Sequence, residues 1–256
     1  SFRAANILKN VSLIACEDTR QTKKLMRRFN FTNTLTSFNQ HNSPNKIPII
    51  INHLKSGESI ALVSDAGMPS ICDPGENLIK DAKSNGIDIV CVPGPSAALT
   101  ALVSSGFPSS KFTFEGFLPK KKGEREKILI EMSKNEKTTI LFESPHRLKQ
   151  LLFELKKTFG GEREIKISRE LTKKFEENIG NNIDEVISYY ENKEILGEIT
   201  VVIKGENKKE KNSQFNRSEL RKELVDLINA GMSLPQASKY LAKKNNMTKN
   251  MIYSMY

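Results

Sequence analysis

Residues 60–75 read Ile-Ala-Leu-Val-Ser-Asp-Ala-Gly-Met-Pro-Ser-Ile-Cys-Asp-Pro-Gly, and they restrict the fold more than any other stretch. The apolar run Ile60 to Val63, bounded by turn-forming residues, predicts a short buried strand. It empties into a loop holding Asp65, Gly67, Asp73, Pro74 and Gly75. Such a loop offers exposed backbone amides, carboxylates and little side-chain bulk, which is what close approach to a polar small molecule requires. Chemistry is thereby placed at the C-terminal end of a strand, where open α/β sheets bind their ligands. A plain tight connection from strand to helix is the alternative for an isolated Asp-Ala-Gly.

A second loop strengthens the first. The run Ile87 to Val92 predicts a strand, which enters Pro93-Gly94-Pro95-Ser96-Ala97-Ala98 ahead of a helix over Leu99 to Ser104. Ser96 is placed to cap that helix. Two strand-end loops would then face one cleft.

The rest of the chain alternates in the same way. Helices are expected over Phe2–Lys9, Gln21–Phe29, Lys46–Ser56 and Glu76–Asn85, a strand over Ser12–Cys16, and a polar loop over residues 30–45. This alternation predicts a mainly parallel sheet. Further on, strands over Lys111–Phe117, Thr138–Glu143, Glu164–Ser168 and Glu198–Lys204 alternate with helices over Glu124–Ser133, Leu148–Phe159 and Ile183–Asn192. The division expected is an α/β domain over 1–116, a second over 117–205, a polar linker over 206–217 and a helical module of helix-turn-helix type over 218–256. In the module, Ser218 would cap a helix whose Leu220, Leu224, Val225 and Ile228 share one face.

A chain of 256 residues, 38% of them hydrophobic, can bury a core of this size. It holds no apolar run near the roughly 20 residues that a membrane span needs, and no signal peptide is visible. Cys16, Cys72 and Cys91 lack ligand spacing and are expected as buried, reduced thiols of a cytosolic protein. His41, His53 and His146 pair with no cysteine, so no metal site is expected.

Charge is concentrated rather than spread. The net charge is +10, with seven Lys or Arg against two acids in residues 1–28 and ten against five in residues 206–256. Lys120, Lys121, Lys122, Arg125 and Lys127 form a third cluster. A solvated face is the ordinary explanation for one such cluster; three beside a ligand cleft point to a polyanion, with nucleic acid the natural candidate.

The blocks SDAGMPSICDPG, VPGPSAALTALVSSGFPSSKFTFEGFLPKKKGER, ESPHRL (143–148), SRELTKKFEE (168–177) and GEITVVIKG (197–205) resemble the tetrapyrrole methylase family, in order along the whole chain. Within it they are similar to members that methylate a ribose 2′-hydroxyl of a decoding-region cytidine in small-subunit (16S) ribosomal RNA. The resemblance implies two α/β domains with S-adenosylmethionine held between them, an RNA or small-subunit partner and a homodimer. Transferred by position, Asp65, Gly67, Met68, Ser96 and Ala97 would hold the methionine and ribose parts of the cofactor, with Glu143, Leu171 and Ile199 toward the adenosine. A ribose hydroxyl is a poor nucleophile, so a base is needed. Glu17, Asp18, Glu143 and Glu170 sit at strand exits with Arg20, Arg147 and Arg169 near them, so Glu17, Arg20, Glu143 and Glu170 are the catalytic candidates and the base is not assignable among the acids; structural ion pairs are the competing explanation. Thr19, Arg20, His41, Lys120 and Arg147 are the RNA-side candidates by charge and place, joined in the tail by Lys239, Lys243, Lys244 and Lys249.

In one respect the pattern departs from the family. Members open with a strand and a Thr-Pro-Ile-Gly-Asn-Leu loop, whereas the sequence starts at Ser1-Phe2-Arg3-Ala4, which matches the helix that follows them. A sheet without that strand would expose unpaired edges. A tetrapyrrole precursor or a protein side chain as methyl acceptor is the alternative within the fold, since fold alone does not fix function. A dinucleotide oxidoreductase is disfavoured by the lack of G-x-G-x-x-G, and a non-enzymatic DNA-binding protein would leave both loops unexplained.

Overall fold

The computed structural model describes residues 1–206, 208–245 and 247–256, the side chains of 208–217 excepted. Contacts divide the chain into two compact units: Ser1–Ser133 with Lys137–Lys204, and Lys134–Glu136 with Gly205–Tyr256.

The first unit opens with α1 (Phe2–Asn10), β1 (Leu13–Cys16), α2 (Thr19–Phe29), β2 (Thr34–Ser37), α3 (Ser43–Lys55), β3 (Ile60–Val63), α4 (Glu76–Ser84) and α5 (Ala97–Ser105). Its three strands run parallel in the order β2-β1-β3. Period-2 alternation sends the central strand's side chains to two cores. Ala15 packs with Ile47, Ile50 and Ile51 of α3 and with Leu78 and Ala82 of α4, while Ile14 and Cys16 pack with Leu8, Val11 and Phe31 on the other face. Burial on both faces is why β1 reads as an unbroken apolar run.

The unit continues through β4 (Phe112–Phe117), α6 (Lys122–Ser133), β5 (Thr138–Glu143), α7 (Pro145–Phe159), β6 (Ile165–Arg169), β7 (Glu177–Ile179), α8 (Ile183–Tyr190) and β8 (Ile199–Ile203). These strands form a mixed sheet in the order β4-β5-β8-β6-β7, parallel only between β4 and β5. One face is covered by α6, α7 and α8. Leu148, Leu151, Leu152 and Leu155 of α7, at helical spacing, are all buried there. Each such side chain contributes about 1.5–3 kcal/mol on leaving water. The other face receives α5, whose Ala98, Ala101 and Leu102 pack with Ile140, Phe142, Val202 and Leu171.

The second unit holds α9 (Lys208–Asn229), α10 (Leu234–Lys244) and α11 (Lys249–Tyr253) around Leu220, Leu224, Ala237, Leu241, Ala242 and Ile252. Pro235 and a Ser233/Gln236 capping box start α10.

Several expectations are corrected. Residues 87–92 form no strand: Ile89 and Val90 are exposed, and no strand among the described residues pairs with them in a ladder. Apolar content alone cannot make a strand without a neighbour to bond to. The polar loop over 30–45 contains β2, whose Thr-Leu-Thr-Ser sequence hides it, and the three-residue β7 was not expected. The helix α9 already runs from Lys208, so Ser218 lies inside it rather than at its cap, and the segment read as linker is helical from that point. Cys16 is buried, but Cys72 and Cys91 are exposed, both lying in loops rather than in strands.

Candidate functional site

The C-terminal ends of β1 and β3 lie side by side, because Cys16 and Val63 are register partners. Their exits therefore meet. The Asp18 backbone N–H donates to Asp65 Oδ1 at 3.1 Å, which joins the first polar residues after one strand to the loop after the other. Asp18 also caps α2, accepting from Arg20 N at 2.8 Å, and its carboxylate takes the Arg20 guanidinium at 2.6–3.0 Å. Those hydrogen bonds hold the Asp18 carboxyl down to about 2.

The loop after β3 is tightly folded. Ser64 Oγ donates to Ala66 O at 3.1 Å, and Ser70 and Cys72 both take left-handed backbone conformations that non-glycine residues seldom adopt. Strain of that kind persists only where surrounding structure over-determines it, and it gathers at functional sites. The loop touches the one before α5. A Cβ on Gly67 would lie 3.8 Å from Pro95 O, and one on Gly94 would lie 3.2 Å from Met68 Sδ. The small residues singled out in sequence thus bring two backbones together. Ser96 caps α5, accepting from Leu99 N at 3.4 Å and, through its carbonyl, from Thr100 Oγ1 at 2.8 Å. Ala97 is exposed at that helix start.

The mixed sheet brings its own loops to this place. Leu171 packs against α5. Glu170, left-handed at φ 52°, and Glu198 are clasped: Glu170 N donates to Glu198 O, and Glu198 N to Glu170 Oε1, each at 2.9 Å. Lys173 closes the clasp, 2.8 Å from Glu170 Oε1 and 3.4 Å from Glu198 Oε2. The Lys173 hydrogen bond lowers the Glu170 pKa, which makes that carboxylate a poor proton acceptor. Gly197 is required beside it, since a Cβ there would fall on the Glu170 carboxylate.

Asp73 feels both sides of this junction. Burial first, then the charges of Glu17, Asp65 and Glu198, push its carboxyl up to about 6, against the opposing hydrogen bond of Ser64. Sequence reasoning named the loop but not this residue as a proton-handling group. The signal available was the Asp-Pro-Gly that ends the motif.

Other candidates fall elsewhere. Glu143 is buried on the sheet face covered by α7, opposite the one that receives α5. Its Oε1 accepts from Ser144 N at 2.7 Å, and its Oε2 lies 3.6 Å from Arg147. It stabilises the start of α7 and faces away from the loops above. Arg147 is committed as well, donating to Leu118 O at 3.1 Å and Pro119 O at 3.3 Å, so it positions the basic loop instead of offering a free cation. Ile199, the register partner of Glu143, is buried with the leucines of α7 in the core on that same face, so it too points away from the loops above. Glu17 and Thr19 are half-buried at the β1 exit, while Arg20, His41 and Lys120 are exposed. In the second unit Lys239 and Lys243 are exposed, and Lys244 pairs with Glu223. No group of three or more His, Cys, Asp or Glu suited to a metal ion occurs among the described residues.

Residues 1–187 match the family model described as tetrapyrrole (corrin/porphyrin) methylases. The chain is 42% identical, over 100% of its length and 88% of the relative's, to Ribosomal RNA small subunit methyltransferase I of Bacillus subtilis (strain 168). With the protein of that name from Thermotoga maritima it shares 45% over 80% of this chain and 91% of the other. Among solved structures it is similar to a cobalamin biosynthetic enzyme, cobalt precorrin-4 methyltransferase (TM-score 0.60, 13% identity, 80% and 88% of the two chains). It is also similar to the uroporphyrin-III C-methyltransferase of Thermus thermophilus complexed with S-adenosylhomocysteine (TM-score 0.54, 13% identity, 79% and 90%). At that identity these structures show the fold.

Proposed function

We propose, from the premise that the chain belongs to the tetrapyrrole (corrin/porphyrin) methylase family, that it methylates small-subunit ribosomal RNA with S-adenosylmethionine as donor. The carrying observation is full-length similarity, at 42% identity, to a protein whose name states that activity. The finer reading is transfer to the ribose 2′-hydroxyl of a decoding-region cytidine, by a homodimer working in the cytoplasm.

The residues present fit the donor. It carries a sulfonium, an amine and a carboxylate, and when bound it supplies an electrophilic methyl group. Asp65 and its neighbours Glu17 and Asp18 place negative charge where a cation would be held. The first-turn amides of α5, at Ala97 and Ala98, precede the helix's own hydrogen bonds and suit a carboxylate. Gly67 and Gly94 leave the two loop backbones near enough to share one small ligand. Leu171, beside Ala98, adds an apolar wall from the second sheet.

Alignment supplies most of the acceleration for an in-line displacement; well-oriented pairs reach effective molarities of roughly 10⁵–10⁸ M. The remaining need is removal of the hydroxyl proton. Among the carboxylates at the junction Asp73 is raised toward neutrality, and in this reading it takes up that proton, a contribution of about 10²–10⁴-fold. Glu143 is buried away from the site and Glu170 is held by Lys173, so neither fills the role.

The test is methyl transfer from labelled S-adenosylmethionine to small ribosomal subunits and to naked 16S RNA, with the product nucleoside identified by mass spectrometry. A 2′-O-methylcytidine is expected. Label on a base, or none on either RNA, overturns the reading.

A further inference from the structure

Helix α2 carries a charge that the fold itself does not use. Its eleven residues, Thr-Arg-Gln-Thr-Lys-Lys-Leu-Met-Arg-Arg-Phe, include five cations and no acid. At about 100° per residue, Arg20, Lys23, Lys24, Arg27 and Arg28 fall within an arc of roughly 140°. Thr22 and Met26 lie on the opposite side and face the protein. Arg20 is held by Asp18, and Lys24 donates to Gln21 Oε1 at 2.9 Å. Lys23, Arg27 and Arg28 are exposed and have no hydrogen-bond or ion-pair partner among the described residues.

This arrangement has a cost in the free protein. Lys23 with Arg27, and Lys24 with Arg28, are like charges four residues apart, and each such pair mildly destabilises a helix. Nothing in the described fold offsets it except the helix dipole at the last turn. Between α2 and the turn after it lies an open cavity of ≈ 750 Å³ lined by Lys23, Met26, Arg27, Asn30, Phe31 and Thr32, with a cationic rim over a floor that includes Met26 and Phe31. The N-terminus of the helix is the Asp18 cap, bonded to Asp65 in the candidate site. Over eleven residues it runs about 16 Å away from that point.

We propose that α2 is an RNA-docking rail, along which the substrate strand's phosphates lie on Lys23, Arg27 and Arg28 as it leaves the methylation site. The partner's identity rests on the ribosomal RNA reading above; the cation arc itself does not. Charge complementarity argues for a phosphate backbone over an acidic protein, because three unpaired cations spread over one helix face match a repeating anion.

The test is the full chain with Lys23→Gln, Arg27→Gln and Arg28→Gln combined. Glutamine keeps helix propensity and relieves the like-charge pairs, so thermal stability should not fall. Affinity for a 16S RNA fragment is measured against salt, alongside S-adenosylmethionine affinity. The expected result is at least tenfold weaker RNA binding, a slope of log K against log salt shallower by about 2 units at ~0.7 per phosphate, and unchanged cofactor affinity. The charge-keeping pair Arg27→Lys and Arg28→Lys should retain the slope. An unchanged slope in the triple variant overturns the rail, even where the wild type methylates RNA. A wild type that transfers no methyl to RNA, yet binds it with a slope the triple variant loses, upholds the rail and overturns the reaction instead.

Discussion

The Asp18 backbone N–H and the Asp65 carboxylate, 3.1 Å apart and 47 residues apart in sequence, tie the exits of two parallel strands into one surface. The bracing of that surface by Asp65 and the holding of a cationic ligand proposed for it are separable by substitution. Asparagine keeps an Oδ1 acceptor for Asp18 N and loses the charge; alanine loses both. Asp65→Ala should weaken S-adenosylmethionine binding ten- to a hundredfold, as loss of a charge-assisted bond worth about 1.5–3 kcal/mol implies. Asp65→Asn should show a smaller loss at unchanged melting temperature. Calorimetric titration decides it, and full affinity in the alanine variant removes Asp65 from the cofactor site.

A second prediction follows from the raised Asp73 carboxyl. In the unfolded chain it titrates near 3.8, in the fold at about 6, so the native state holds the proton more tightly. Stability from this group is therefore highest at low pH, falls as pH rises between these two values, and stays reduced above about 6. Asp73→Asn, neutral throughout, should melt higher than wild type at pH 8, with the advantage shrinking toward pH 4. Its methyl-transfer rate at pH 8 should drop at least a hundredfold with cofactor affinity intact. A variant that keeps the wild-type rate assigns the proton to another group, and one without the pH-dependent melting advantage removes the electrostatic argument.

Gly75 carries the tightest steric demand in the loop. It sits at φ 150°, and a Cβ there would land on Ser70 Oγ and Leu62 Cδ2. Gly75→Ala should destabilise the protein by about 1–3 kcal/mol, combining backbone strain with overpacking. Gly123, at the start of α6 with open space around it, is the control, and Gly123→Ala should be neutral or slightly stabilising. Chemical denaturation of the two variants gives the comparison; equal midpoints would show that the loop relaxes around the added methyl.

The site loops were legible because their residues are locally unusual: Asp-Ala-Gly-Met-Pro and Pro-Gly-Pro-Ser announce turns whatever surrounds them. What was not legible depends on neighbours. Thr34–Ser37 is a strand because β1 lies beside it, although its own composition is that of a loop. Ile87–Val92 has the composition of a strand and no ladder. Glu143 and Arg147 look like a catalytic pair at a strand exit, yet pleat alternation turns Glu143 to the α7 face and Arg147 is drawn to two carbonyls. The Asp73 shift arises from Glu17, Asp65 and Glu198, residues brought together only by two strand exits and a second sheet. Helix periodicity fared better, since the leucines of α7 and of the tail carry their own pattern.

The tail poses the last question, whether its cations hold RNA. Of the four lysines expected to, Lys244 is already paired with Glu223, which leaves Lys239, Lys243 and Lys249. Leu224, Leu241 and Ile252 are fully buried beneath them, so the helices are a packed module rather than a loose appendage. Replacing the three lysines with glutamine in the full chain should make the salt slope of RNA binding shallower by about 2 to 3 units, at ~0.7–0.9 per phosphate contact. Lys244→Gln alone should leave the slope where it was and remove only a surface ion pair that contributes little to stability. Leu224→Ala, by contrast, should cost about 2–5 kcal/mol within the module and expose its amides to hydrogen exchange, leaving those of the α/β unit protected. An unchanged slope in the triple lysine variant, together with an unchanged methylation rate on small subunits, would make the tail a structural element with no part in holding RNA.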